Sequence, residues 1–228
     1  MAAREFTKPR NRIFRRYLAV CLALSGLGLA LLVPQNHAAA DEALDNELLI
    51  ATQFRSPDAI AALLKRGADP NAEDDNGVTA LINAAARGNR TALRMLLDAG
   101  ARIDEDGRNG CTPLTWAARN GWEQVIEILV ARGADINHQD RAGMTPLMRA
   151  AWNGQPGAVG KLIELGADVS IRDENGFGAL GYALAGRHPV VIAYLERAGA
   201  KSQFDEAKAA AAKIDAIPFV ACALAERP

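Results

Sequence analysis

Nine glycines of this chain fall in one register. Gly77, Gly110, Gly143 and Gly176 follow one another at a constant spacing of 33. A second series, Gly67, Gly100, Gly133, Gly166 and Gly199, keeps the same interval, and each member is followed by alanine (Ala68, Ala101, Ala134, Ala167, Ala200). Two interleaved series with a common period, running over more than half of the chain, are not a by-product of composition. A period of this length marks a supersecondary unit that cannot bury its apolar face alone and must stack on copies of itself.

The content of the unit is clearest from Asn109 to Asn137, N-G-C-T-P-L-T-W-A-A-R-N-G-W-E-Q-V-I-E-I-L-V-A-R-G-A-D-I-N, and again from Ala142 to Ser170. Both segments carry the turn glycine, a T-P-L helix start (Thr112-Pro113-Leu114 and Thr145-Pro146-Leu147), an Ala-Ala pair and a closing G-A-D. The pattern resembles the ankyrin repeat. The resemblance implies an all-α solenoid of helix-turn-helix units joined by β-turn loops.

Elementary chemistry supports the same units. Thr112 and Thr145 stand where a hydroxyl accepts an orphan backbone N–H, and the prolines after them occupy the first helical position, where a missing N–H costs least. Val125, Ile126, Ile128 and Leu129 form an apolar stripe at helical spacing. Gly133 and its counterparts end that helix in a left-handed conformation. Pro57, Pro156 and Pro189 share one register at the opening of the second helix. The histidine common in the family after T-P-L is replaced by Ile82, Thr115, Met148 and Gly181, which should weaken hydrogen bonding at the helix starts.

Five repeats are expected within residues 41–201: a degenerate N-terminal cap at 44–73, then 74–106, 107–139, 140–172 and 173–200. The first has Leu44 in place of the turn glycine and Asn46-Glu47-Leu48 in place of T-P-L; the last has Gly178-Ala179 for Thr-Pro. Residues 202–228 should form a capping helix from Ser202 to Ile214 and a loose tail.

Residues 1–40 read differently. Six bases and one acid are followed by the apolar run Tyr17–Val33, then Pro34 and Ala38-Ala39-Ala40. That order is the plan of a secretory signal peptide, with cleavage expected after Ala40 and a periplasmic mature chain. An uncleaved inner-membrane anchor facing the periplasm is the alternative, since the run approaches the roughly 17 residues of the shortest spanning helices. Residues 41–228 hold 20 bases and 26 acids, a net charge of −6, which argues against nucleic-acid binding.

Little in the chain suggests catalysis. His138 and His188 lie in non-adjacent parts of different repeats, and neither CxxC, HExxH nor a phosphate loop occurs. No cofactor, metal or small-molecule substrate is expected. Glu73-Asp74-Asp75-Asn76-Gly77 begins like a calcium loop, but the later ligands are missing after Val78. Cys111 and Cys222 could bridge in an oxidising compartment; spacing alone does not establish a bond, and free thiols are expected.

The resemblance implies that a monomeric chain binds a protein partner on a concave face built from turn tips and first helices. The positions carried over are Phe54 and Arg87 at the first-helix ends of repeats one and two; Arg108, Cys111, Arg119 and Asn120 in repeat three; Arg141, Met144, Trp152 and Asn153 in repeat four; and Phe177 in repeat five. Trp152, Met144 and Phe177, large apolar groups flanked by arginines, have the composition of a binding hot spot. Trp116, beside the Ala-Ala pair, is expected in the core, and Trp122 is expected to be structural. Small exported bacterial proteins of this kind are associated with envelope stress defence, including support of catalases, and with toxin neutralisation. The resemblance therefore implies an inhibitor, immunity, chaperone or accessory role.

Overall fold

The computed structural model describes residues 35–54, 56–107 and 109–200, with side chains from Glu42 onward. The chain divides into two compact units, Met1–Ala38 and Ala39–Pro228. The expected signal peptide up to Pro34 and the capping helix and tail at 202–228 lie outside the described residues.

Ten helices run through the described residues and no strand is among them. In chain order they are α1 (Gln35–Gln53), α2 (Pro57–Lys65), α3 (Ala80–Ala86), α4 (Arg90–Asp98), α5 (Pro113–Arg119), α6 (Glu123–Ala131), α7 (Pro146–Trp152), α8 (Pro156–Glu164), α9 (Ala179–Ala185) and α10 (Pro189–Arg197). The first helices stack in one row, α3–α5–α7–α9, and the second helices in another, α2–α4–α6–α8–α10; each first helix from α3 onward also packs on its own second helix.

The helix starts follow the sequence. Thr79, Thr112 and Thr145 accept the N–H of Ile82, Thr115 and Met148 at 3.2–3.3 Å, each cap worth about 1 kcal/mol. The replacements for the family histidine recover part of its bonding: the Thr115 and Thr112 hydroxyls lie 3.1 Å apart, and the Met148 thioether accepts from Thr145 N–H at 3.5 Å. Proline opens α5 and α7, and also α2, α8 and α10. The pairs Ala84-Ala85, Ala117-Ala118 and Ala150-Ala151 have no exposed surface, so the first helices approach backbone to backbone. Larger groups from the second helices (Leu93, Leu96, Ile126, Leu129, Val159, Leu162) fill the layer behind them, all fully buried. Each such Leu or Ile contributes about 1.5–3 kcal/mol.

The first repeat departs from expectation. α1 begins at Gln35, upstream of Leu44, and spans 19 residues where the other first helices have seven. Neither a turn glycine nor T-P-L interrupts it, and its alanines favour continuation. It runs through Ala38-Ala39-Ala40 and contributes Leu48, Leu49 and Ala51 to the core.

Both glycine series have positive φ, from +71° to +96°. A third series escaped the sequence reading: Gly88, Gly121 and Gly154, between the two helices of each repeat, at φ +68°, +78° and +63°. A Cβ there would lie 2.5–2.6 Å from Trp122, Gln155 and His188 of the next repeat. At the fourth place stands Arg187, with φ +56°.

The connectors form a hydrogen-bond ladder whose first rung joins α1 to the connector of the same repeat and whose next three pass from one repeat to the next, from repeat one to repeat four. Asp45 accepts Asp69 N–H (2.7 Å), Asn71 accepts Arg102 N–H (2.7 Å), Asp104 accepts Asp135 N–H (3.2 Å) and Asn137 accepts Asp168 N–H (2.9 Å). Burial holds the Asp104 carboxyl above the usual range despite that bond, whereas the Ser170 hydroxyl and N–H hold Asp168 below it.

Candidate functional site

An aspartate opens the turn in three repeats, at one and the same register position. Asp74, Asp140 and Asp173 each use Oδ1 to accept two backbone N–H groups of their own turn at 2.8–3.1 Å, closing the tip. In the last two, the second oxygen reaches the first helix nine residues on. Asp140 Oδ2 accepts from Arg149 Nε at 2.8 Å and from Nη2, with the Asp140 side chain fully buried and that of Arg149 11% exposed. Asp173 Oδ2 accepts from the Tyr182 hydroxyl. Gly107 occupies the aspartate's place in repeat three.

Tyr182 is the centre of this arrangement. It is buried, and both Trp152 (5.6 Å between ring centroids, 88° between planes) and Phe177 (6.1 Å, 76°) meet it edge to face. Each contact is worth about 0.5–1.5 kcal/mol beyond its area. Burial, then the hydrogen bond to Asp173, pushes the Tyr182 phenol well above its usual range, so it stays neutral and donates. Trp152 and Phe177 remain half-buried, packed against the core. In repeat three, the Arg119 guanidinium lies 5.1 Å over the Trp116 ring.

The family model for ankyrin repeats (3 copies) matches residues 48–140 and 105–173, together more than half of the chain. The chain belongs to the ankyrin-repeat family. No curated protein matches it. Ankyrin repeats generally mediate protein–protein interaction and are typically non-enzymatic modules.

Set on the ankyrin scaffold, the expected surface keeps some members and loses others. Phe54 is 76% exposed, and Arg87, Asn120 and Arg141 are also exposed. Asn120 donates to the Ala86 carbonyl at 2.8 Å and Asn153 to the Arg149 carbonyl at 2.8 Å, so both amides also fix helix ends. Arg108 lies outside the described residues. Two members are corrected. Met144 is 6% exposed and belongs to the core cluster, because the turn of the next repeat stacks on its own. Cys111 is 1% exposed and disulfide-bonded, not a free thiol. Its sulfur lies 3.8 Å from Asp140 Oδ2, a contact and not a hydrogen bond, since an oxidised sulfur carries no proton.

The tryptophans of repeat three divide in a similar way. Trp116, expected in the core, is half-exposed under Arg119. Trp122 is structural: its Nε1–H donates to the Ala86 carbonyl at 2.8 Å, although 40% of it is exposed. His188, at the matching place in repeat five, bonds the Trp152 carbonyl at 3.1 Å, and His138 bonds the Gly110 carbonyl at 3.0 Å. Sequence reading missed Asp140, Arg149, Asp173 and Tyr182. The nine-residue separation of both pairs, repeated in two units, was the available signal. A cleft of about 380 Å³ lined by Gly88, Arg90, Trp122 and Glu123 lies at the starts of the second helices. Among the described residues no group of three or more His, Cys, Asp or Glu could hold a metal ion.

Proposed function

We propose that this chain is an exported, periplasmic, non-enzymatic module that takes one partner protein on the turn-and-first-helix face of its repeats. The observation that carries the reading is the half-exposed Trp152 and Phe177 pair held against buried Tyr182. Two large rings are fixed in orientation by a third that is itself covered. Arg141 on the neighbouring tip and the Arg119–Trp116 stack one repeat away supply the polar edge that such centres have. Rings held in place lose little rotamer freedom on binding.

Export is supported by the arrangement of residues 1–40, with the mature chain starting at Asp41. N-terminal sequencing from the envelope fraction tests it: a start at Asp41 is expected, and retention of residues 1–40 would point to a tethered form. Within the bacterial envelope the role is that of an inhibitor, immunity factor, chaperone or stress-defence accessory. Affinity capture from periplasm with the mature chain, repeated with Trp152→Ala plus Phe177→Ala, tests the face. Capture should fall by at least tenfold while helical content is kept. Undiminished capture by the folded double variant refutes the site.

A further inference from the structure

Three side chains share the register position that joins one connector to the next: Asn71, Asp104 and Asn137. Each accepts the backbone N–H of the residue 31 positions on, from Arg102, Asp135 and Asp168 respectively. An asparagine there brings no charge and carries a donor as well; the Asn71 Nδ2 meets the Gly100 carbonyl at 3.4 Å. Asp104 brings a charge and, when ionised, no donor. Its bond is also the longest of the three. Both of its oxygens lie 3.2–3.3 Å from the Asp135 nitrogen, where the neighbouring rungs measure 2.7 and 2.9 Å. Of these three rungs, only this one sets two carboxylates, Asp104 and Asp135, against each other.

We propose that Asp104 makes the joint between repeats two and three pH-sensitive: the joint is loose while the carboxylate is charged and closes as an asparagine rung does once the carboxyl is protonated. Protonation removes one of two like charges and gives Asp104 an O–H. The Gly133 carbonyl, register equivalent of Gly100, is the acceptor placed for it. The proposal does not depend on the binding face described above.

Asp104 is half-buried and Asp135 exposed. The charged groups acting on Asp104 are Asp135 and His138, both from the following connector, and they oppose one another. Other charges on the flanking segments are paired: Arg102 with Glu105 at 2.7 Å, and Arg132 with Asp98 at 2.9 Å. Burial foremost, then repulsion from Asp135, holds the Asp104 carboxyl above its usual range, against the pull of the Asp135 N–H and His138. A group that binds its proton more tightly folded than unfolded contributes its stability in full below the ordinary value of 3.8. That contribution is lost as pH rises through the folded value, so acid tightens this joint.

The test follows amide exchange at residues 134–136 from pH 7 to 3.5, corrected for intrinsic rates, in the chain as isolated and in two variants, Asp104→Asn and Asp135→Asn. Asn71 and Asn137 show that an asparagine suits the first position, and Asp135→Asn keeps the oxygen that accepts the Asn137 N–H at 2.9 Å. Exchange at 167–169, where Asn137 holds the rung, serves as the internal reference. At pH 7 protection should rise in both variants by about 1.5–5-fold, the worth of a partly exposed charge pair. Toward pH 3.5 wild type and Asp104→Asn should converge as the wild-type carboxyl takes up its proton. Equal protection in those two at pH 7, or a difference that does not shrink in acid, overturns the proposal. So does an unchanged Asp135→Asn, since the facing charge would then not be the cause.

Discussion

The turn glycines permit a test of how closely successive repeats stack. Gly143 and Gly176 occupy the same position of the same turn, with φ +73° and +80°. An alanine at either pays the left-handed penalty of about 1–2 kcal/mol. They differ in what lies beyond. A Cβ at Gly143 would stand 2.8 Å from Glu174 N and 3.1 Å from Asp173 Cα, whereas one at Gly176 has nothing within 4 Å among the described residues. The obstructing atoms are backbone, so relief requires the fifth turn to shift, at a further cost of about 1–3 kcal/mol. Gly176→Ala should therefore lose about 1–2 kcal/mol and Gly143→Ala about 2–5 kcal/mol. With a urea slope of about 2 kcal/mol per molar, the extra loss lowers the midpoint by roughly 0.5–1.5 M. Because repeats couple only to neighbours, the Gly143→Ala transition should also broaden as repeat five separates first. Circular dichroism against urea measures both. Equal losses at the two glycines would refute this picture of stacking.

Arg187→Gly should raise the thermal midpoint, since relief of φ +56° outweighs the added freedom of the unfolded chain by about 0.5–1 kcal/mol; a lower midpoint would count against strain there. Arg149→Ala leaves the fully buried Asp140 carboxylate without its guanidinium and should cost about 3–5 kcal/mol in urea unfolding. Tyr182 is protonated more tightly folded than unfolded, so its contribution is complete below the ordinary tyrosine value of 10.0 and declines as pH rises past it. Stability measured from pH 8 to 11 should fall more steeply in wild type than in Tyr182→Phe, while at pH 8 the variant is weaker by about 1–3 kcal/mol because Asp173 Oδ2 loses its donor.

Much of the fold was legible because its rules are local. A threonine before proline caps a helix whatever lies beyond it, and a glycine at positive φ answers to its own backbone. The site was less legible because exposure on the turn row is set by the next repeat. Cys111, Met144 and Phe177 share one register position, yet the first two are buried and the third is half-open. At Met144 another turn stacks against its own, as the space around Gly143 shows; around Gly176 there is none among the described residues. Trp116, expected in the core, instead stays half-exposed with the Arg119 guanidinium over its ring. The Asp140–Arg149 and Asp173–Tyr182 pairs follow no helical spacing. They connect a turn to the helix after it, and only comparison between repeats would have exposed them.

The connector ladder has a consequence for recognition. From repeat one to repeat four each rung is a side-chain oxygen of one repeat holding a main-chain amide of the following one, so pitch and rotation between these units are set by short polar bonds as well as by the apolar layer. Tips carried on such a ruler arrive at a partner already spaced. Association then sacrifices little configurational freedom on this side, and selectivity falls to whichever surface matches the spacing.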